Sequence, residues 1–477
     1  MLDLAIIIVY FIGLIAVGLY AYRNKKSSTQ NGFFVANRSG STLFIIGSLC
    51  ATIIGASVTM GMAGLGYFRG LTGAWWLLVG TAGLLILGFF FARTVRRFGL
   101  YTLPELVEKQ YGKTAGVVAS ILIVISWMAI VAAQIIAAGK ILSVMIPGMA
   151  VSDLMIIAAA VFIIYTVLGG QYSVIRTDLV QFGIIVVGVI VCLGLVLGHV
   201  GGFSGLKTSL PSDYFSFPVS TKFGWLDLLS LLILVGSTYV VGPDMYSRLF
   251  CARNEKVAKT SALSAALITI PIAFIIVLIG IGAKVLYPDI GQEQALPTVV
   301  KYILPAGATG LVIAAVLAAV MSSADTCLIT TSTIFTADIY KRIFPRIGER
   351  RTVAISRIAV LVIGGLSLLV ALQLQGIINS LMLAYTVFTS GVVLPVVAGF
   401  FKDKLKVNSI GAVAAIVGGG GTALWIKQWQ VTSLAGVHIG HIELIGFGVC
   451  AVLLFGVSWI TRMMGYPRPG KSLEVAE

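Results

Sequence analysis

The chain contains many apolar segments of about 20 residues, and this repetition restricts its fold more than any other feature. About 20 apolar residues cross the hydrocarbon core of a bilayer as an α-helix, and inside a bilayer the backbone must satisfy its own hydrogen bonds. Thirteen such segments begin near residues 4, 41, 72, 115, 152, 177, 225, 260, 308, 353, 377, 408 and 443. The sequence therefore predicts an all-α integral membrane protein with about 13 transmembrane helices.

Charge supports the same class and predicts an orientation. Charged residues make up 11% of the 477, whereas soluble proteins carry about 25%. If the N-terminus lies outside, 26 of the 33 Lys and Arg residues fall in inside loops, and only Lys140 lies within a span. This positive-inside distribution accounts for the net charge of +15 without nucleic-acid binding. We expect a multi-pass plasma-membrane protein that contacts lipid and no nucleic acid, with its N-terminus outside and its C-terminus in the cytoplasm.

The sequence has no arrangement of residues typical of catalysis. It contains no nucleophile elbow, no Walker loop and no pair of residues at metal-ligand spacing. The five cysteines are scattered and show no disulfide spacing. We therefore expect neither an enzyme nor an obligate protein partner.

Polar residues interrupt one of the apolar segments. The stretch Ala319-Val-Met-Ser-Ser-Ala-Asp325 places hydroxyls and a carboxylate inside the apolar run from about residue 308 to 336. An intramembrane carboxylate indicates a functional site, and hard oxygen donors suit a small hard cation. The sequence thus predicts an ion-binding site within the membrane.

Two spans carry the residues of a broken helix. Small and hydroxyl residues surround Gly55 in the second span, and Gly242-Pro243 interrupts the seventh. Glycine loosens a helix, and proline removes one of its hydrogen bonds. Paired interruptions in two halves of a chain indicate a transporter's binding site near the membrane midplane. Because the second interruption lies five spans after the first, the two halves have opposite orientations.

Four motifs in a fixed order resemble the sodium/solute symporter family, which includes sodium-coupled proline, galactose, sialate and pantothenate transporters. They are Tyr67-Phe-Arg-Gly70, the segment 101–112, the segment 169–181, and Ala319-Val-Met-Ser322-Ser323 with its continuation to residue 341. The resemblance implies a leucine-transporter-type five-plus-five inverted repeat with one extra N-terminal and two extra C-terminal helices.

This fold divides a single membrane domain, residues 1–477, into consecutive parts. The expected parts are an extra helix (1–40), the first repeat (41–200), the inverted second repeat (225–400), two extra helices (401–465) and a cytoplasmic tail (466–477).

The resemblance also implies a sodium site between core helices 1 and 8. Its ligands are the backbone carbonyls of Ala51, Ile54 and Ala319 and the hydroxyls of Ser322 and Ser323. The alternative is that the serines bond back to carbonyls of their own helix.

Some relatives hold a second sodium ion, and the residues at the corresponding positions of this chain are Asp178, Asp325 and Thr326. Asp325 departs from the family, which has a serine at that position. The alternatives are a helix N-cap for Asp178 and, for Asp325, a pairing with Lys or Arg near the inner face.

The solute is expected between core helices 1, 3 and 6. The candidate side chains are polar and lie near the two interruptions: Ser57, Thr59, Gln134, Ser237, Thr238 and Tyr239. Lys140, toward the outer end of core helix 3, either reaches the interface or attracts a carboxylate substrate. Ile53 and Gly55 replace the acidic residue and serine of proline-transporting relatives, so proline is disfavoured, and the glutamate, asparagine and lysine set of sugar-transporting relatives is absent. The expected pocket is modest and weakly charged, which favours a small amino acid, carboxylate or vitamin-like solute.

The predicted function is sodium-coupled secondary active import of this solute by alternating access. Two alternatives stay open. One is proton coupling through Asp178 or Asp325, and the other is a sensor or channel that keeps the fold without coupled uptake.

Overall fold

The computed structural model describes residues 2–23, 29–146, 148–374, 376–429, 433–434, 437–438, 441 and 444–465. The predicted tail, residues 466–477, lies outside the described residues. Ten described helices are long and apolar enough to cross a membrane, and two shorter apolar helices accompany them. Two of the ten spans are longer than one crossing needs, and each contains a glycine with positive φ, Gly70 (φ 68°) or Gly170 (φ 59°). Each of these two spans therefore includes more than one of the predicted apolar segments. The predicted all-α membrane architecture is confirmed, whereas the number 13 stays a prediction.

The helices are numbered here in chain order. They are α1 (Leu2–Arg23), α2 (Gln30–Val35), α3 (Thr42–Ile53), α4 (57–69), α5 (75–97), α6 (Leu103–Tyr111), α7 (Lys113–Met145), α8 (Val151–Val200), α9 (Gly202–Ser209), α10 (225–241), α11 (Pro243–Cys251), α12 (Glu255–Leu286), α13 (Ala295–Tyr302), α14 (Ala308–Ile343), α15 (Glu349–Leu374), α16 (Ile377–Phe400), α17 (Lys402–Leu405), α18 (Ser409–Gln428) and α19 (Leu444–Met463). Before α19, a short antiparallel pair joins β1 (Ser433–Leu434) to β2 (Val437–His438).

Helix α14 lies at the centre of the molecule. Its most apolar stretch is entirely buried, and it packs against α1, α3, α7 and α8. A helix that is buried on all sides can place polar groups only against protein partners, because neither water nor lipid headgroups reach it. The polar residues of α14 must therefore bond to carbonyls of their own helix, to neighbouring helices or to a ligand.

The first predicted interruption separates α3 from α4. Helix α3 ends at Ile53, and Ile54 has the non-helical angles φ −84° and ψ 61°. A Cβ atom on Gly55 would lie 2.9 Å from both the Cβ of Ser323 and the Oε1 of Gln134. Glycine is therefore required at the break, because it allows α14 and α7 to approach the backbone this closely.

The second predicted interruption separates α10 from α11. Gly242 is extended at φ −56° and ψ 131°, and Pro243 begins α11. Proline is well suited to the first helical position because it has no N–H to leave unpaired. The sequence thus predicted the locations of both breaks.

Helix α1 is tied to the centre of the fold. The Asp3 carboxylate oxygen Oδ1 accepts hydrogen bonds from the backbone N–H groups of Gly307 and Gly310, each at 2.7 Å. These N–H groups lie at the start of α14, where a helix has free donors. Asp3 therefore caps the helix that carries the predicted ion ligands.

Candidate functional site

Ser323 connects α14 to the broken end of α3. Its hydroxyl donates to the backbone carbonyl of Thr52 at 2.5 Å. Among the turn and cap hydrogen bonds of the described residues, none reaches the carbonyl oxygens of Ala51 or Ile54. Ala319 is buried one turn before Ser323, on the same side of α14. Ser323 thus joins α14 to the end of α3, where the carbonyl oxygens of Ala51 and Ile54 accept none of these bonds.

Ser322, the fifth predicted ligand, bonds elsewhere. Its hydroxyl donates to Asp178 Oδ1 at 2.5 Å, and Ser48 donates to the other carboxylate oxygen. Neither Ser322 nor Ser323 bonds back to its own helix among the described contacts, so that alternative is wrong. Asp178 lies within α8 rather than at its start, so the N-cap interpretation of Asp178 is also wrong.

A buried arginine completes this cluster. Arg248 Nη2 lies 3.1 Å from Asp178 Oδ2, and both side chains are 0% exposed. The same nitrogen donates to Thr326 and lies 3.4 Å from the hydroxyl of Thr52. The Thr52 and Thr326 hydroxyls are themselves 3.0 Å apart. One guanidinium therefore joins α11 to α3, α8 and α14.

The sequence did not indicate this role for Arg248. The charge count placed Arg248 in an inside loop, but the residue is fully buried within α11 and within a membrane-spanning helix. Its position four residues after Asp244, on the helix that follows the Gly-Pro break, was the only available signal.

Asp325 is separate from the arginine cluster. It is 1% exposed, and its Oδ1 accepts a hydrogen bond from Thr166 at 2.6 Å. Its other oxygen, Oδ2, has no hydrogen-bond partner in the described part of the chain. No Lys or Arg among the described residues forms an ion pair with it, so the predicted alternative of a structural pairing is wrong.

A central cavity opens between the two helix breaks. Four predicted solute residues line it: Ser57, Gln134, Thr238 and Tyr239. The other lining residues are Thr52, Ile53, Gly55, Ile130, Asp244, Met245, Ser323, Cys327, Leu381 and Tyr385. The cavity therefore adjoins the predicted sodium site, with which it shares Ser323.

Two predicted solute residues, Thr59 and Ser237, are not among those that line the cavity. The Thr59 hydroxyl donates to the carbonyl of Gly55 at 2.9 Å, and the Ser237 hydroxyl donates to the carbonyl of Ile233. Both bonds run to a carbonyl four residues earlier, which is the common way for a helical hydroxyl to satisfy itself.

Gln134 supports the break and also faces the cavity. Its Oε1 accepts the N–H of Ala56 at 2.9 Å, which satisfies a free donor where the helix resumes. Its side chain is 2% exposed, and its Nε2 has no hydrogen-bond partner within the described ranges. Gln134 can therefore donate one hydrogen bond to a molecule in the cavity.

Lys140 lies outside the central cavity. It forms an ion pair with Glu293 and lines a separate cavity. The second carboxylate oxygen of Glu293 accepts the N–H of Ile377 at 2.9 Å, at the start of α16. Glu293 therefore links the segment before α13 to α7 and α16, and Lys140 is already partnered.

Comparisons with known proteins agree with this architecture. A model of the sodium:solute symporter family matches residues 33–419. Solute carrier family 5 member 4B of Mus musculus is 26% identical, with 96% of this chain and 79% of that protein covered. A sodium/glucose cotransporter of Vibrio parahaemolyticus is also 26% identical, with 89% of this chain and 85% of that protein covered.

Solved structures show the same fold. The substrate-bound outward-open state of a Na⁺-coupled sialic acid symporter superposes with a TM-score of 0.81 at 19% identity, covering 96% of this chain and 98% of that one. A crystal structure of MhsT in complex with L-phenylalanine gives a TM-score of 0.56 at 14% identity, covering 89% of this chain and 98% of that one. These likenesses confirm the predicted leucine-transporter-type fold.

Proposed function

Because the chain belongs to the sodium:solute symporter family, we propose that it couples sodium entry to the import of a small organic solute by alternating access. The observation that carries the proposal is the sharing of residues between two sites. Ser323 bonds to the broken end of α3, which carries the proposed ligands Ala51 and Ile54, and Ser323 and Gly55 both line the central cavity. An ion bound at the break therefore acts directly on the wall of the solute site.

The sodium ion is transported, and its ligands in this proposal are the carbonyls of Ala51, Ile54 and Ala319 and the hydroxyls of Ser322 and Ser323. When the ion binds, the hydroxyl of Ser323 turns from the Thr52 carbonyl toward the ion. The ion then holds α14 against the end of α3 and favours the conformation in which the solute site is formed. Coupling requires that sodium bind the two conformations with different affinity. The membrane potential contributes about 2.3 kcal/mol per charge per 100 mV.

The second set of predicted ligands, Asp178, Asp325 and Thr326, has weaker support. A sodium ion beside Asp178 and Thr326 would lie next to the guanidinium of Arg248, which already neutralises the carboxylate. We therefore propose one sodium ion per solute. Measuring charge and solute uptake together in proteoliposomes tests this stoichiometry, and two positive charges per neutral solute would contradict it.

Sodium binding is tested by thermal unfolding of purified protein in sodium against equal potassium. A ligand that binds only the folded state stabilises it by about 2.7 kcal/mol at one hundred times its dissociation constant. We expect a sodium-specific increase in Tm that Ser323→Ala abolishes. Ser332→Ala is the matched control, because Ser332 is buried in the same helix and donates only to the Ile329 carbonyl. Equal sodium and potassium curves for the native protein would contradict the proposal.

Asp325 favours one alternative, in which protons are the coupling ion. Its fully buried carboxylate has an oxygen without a partner among the described residues, and ionisable groups inside membranes commonly relay protons. Uptake driven by a pH gradient in sodium-free buffer, and lost in Asp325→Asn, would support this alternative over sodium. For either coupling ion, the proposed location is the plasma membrane with the N-terminus outside.

A further inference from the structure

Asp244 places a carboxylate on the wall of the central cavity. It is the second residue of α11, directly after the Gly242-Pro243 break, and its side chain lines the cavity. In the described part of the chain, no Lys, Arg or His forms an ion pair with it. The nearby Arg248 on the same helix is paired with Asp178 instead.

The remaining cavity wall is neutral. Apart from Asp244, the lining consists of hydroxyl, amide, thiol, thioether and apolar side chains. A carboxylate in the wall of a membrane-buried cavity is costly when it has no ion-pair partner of its own. An occupant that carries a positive charge would offset this cost and would form a charge-assisted hydrogen bond. An anionic occupant would instead be repelled.

We propose that Asp244 receives a protonated amino group of the solute, so that the transported compound is an amino acid or another small amino compound. Gln134 lines the same cavity, and its Nε2, which forms no hydrogen bond with the described residues, offers a hydrogen bond to an acceptor group of the same solute. The inference rests on the proposed symport and narrows its solute class. It disfavours sugars and simple carboxylates, which lack a cation for Asp244.

The test is a thermal-shift panel with purified protein in sodium. The panel contains amino acids and small amines, each paired with an isosteric compound without the charge: the 2-hydroxy acid or the N-acetyl derivative. Common sugars are included. We expect at least one amino compound to raise Tm in sodium while its uncharged partner does not. Stabilisation by no amino compound, or equal stabilisation by an uncharged partner, would overturn the inference.

The variant Asp244→Asn then tests whether Asp244 itself recognises the protonated amino group of the solute. Removing one partner of a buried charge pair weakens binding by at least about tenfold. We expect that loss for the amino compound, with weak binding of its uncharged partner unchanged or improved. An equal loss for both compounds would show a purely structural role as a helix cap and would overturn the inference. Asp403→Asn, an exposed carboxylate on α17, is the matched control.

The sodium response without solute distinguishes the two proposals. If native protein shows no sodium-specific shift, the proposed symport fails. If the shift is present in native protein but lost in Asp244→Asn, the carboxylate acts on the ion, and only the solute inference is overturned. Asp244→Glu, which keeps the charge, should retain selectivity for the amino compound, and this provides a second readout if the asparagine variant is unstable.

Discussion

Replacing Arg248 by methionine should destabilise the protein strongly, because it leaves a buried carboxylate without its countercharge. Arg248 and Asp178 are both 0% exposed and 3.1 Å apart. Breaking a buried ion pair by removing one partner costs about 3–5 kcal/mol. Asp178 keeps hydroxyl donors from Ser48 and Ser322, so we expect the lower end, about 3 kcal/mol.

The double variant Arg248→Met/Asp178→Asn provides the decisive comparison. With both charges removed, neither position holds a buried charge without its counterion, and such replacements are often neutral. We therefore expect the double variant to unfold at a higher temperature than Arg248→Met alone. The difference measures the coupling between the two residues, which a double-mutant cycle isolates.

The assay is thermal unfolding of the native protein, both single variants and the double variant in the same detergent, without sodium. If the effects of the two substitutions simply add, the two residues are not coupled, and the argument from the buried ion pair is refuted. A titration of Arg248→Met with sodium adds a second readout. The freed carboxylate should then bind an additional ion, so sodium should raise the Tm of this variant more than it raises the Tm of the native protein or of Arg248→Met/Asp178→Asn.

Four further outcomes are expected. Lys140→Met should leave the Kd of the solute unchanged, because Lys140 lies outside the central cavity; a changed Kd would contradict this placement. Glu293→Ala should lower Tm more than Glu293→Gln, since only alanine removes the acceptor for the start of α16, a cap contribution of about 1 kcal/mol. Gly55→Ala should abolish the sodium-specific Tm increase, because the new Cβ would lie 2.9 Å from Gln134 Oε1; a retained increase would show that the break tolerates a side chain. Burial raises the pKa of Glu105, so the folded protein binds a proton on this carboxylate more tightly than the unfolded chain does. The folded state is therefore favoured as the pH falls through the raised pKa. Glu105→Gln should remove that part of the pH dependence of Tm, and an unchanged pH profile would contradict the assignment.

Local chemistry explains why the sequence predicted the helices and their breaks. Apolar length specifies a membrane helix, and the interruptions at Gly55 and Pro243 follow from the backbone properties of those residues alone. The pairing of Ser323 with the end of α3 could also be predicted from the sequence, because it depends on a family motif and on the expected packing of two helices. These features need little knowledge of side-chain partners.

The rest of the site depends on contacts between residues that are distant in sequence. Arg248 and Asp178 are 70 residues apart, and no local pattern distinguishes a buried arginine from one in a loop. Lys140 and Glu293 are 153 residues apart, so the partner of Lys140 could not be inferred. The place of Asp244 in the cavity wall could not be inferred, because the sequence does not say which groups face the cavity.

The Asp3 cap has a practical consequence for measuring motion. Helix α1 packs against α8 and α14 and holds the start of α14 through two hydrogen bonds. It should therefore travel with α14 as one rigid body during each transport cycle. A fluorophore on the exposed side of α1 would thus serve as a fixed reference, and distance changes to a second dye on α5 or α12 would report the rocking of the other helices directly.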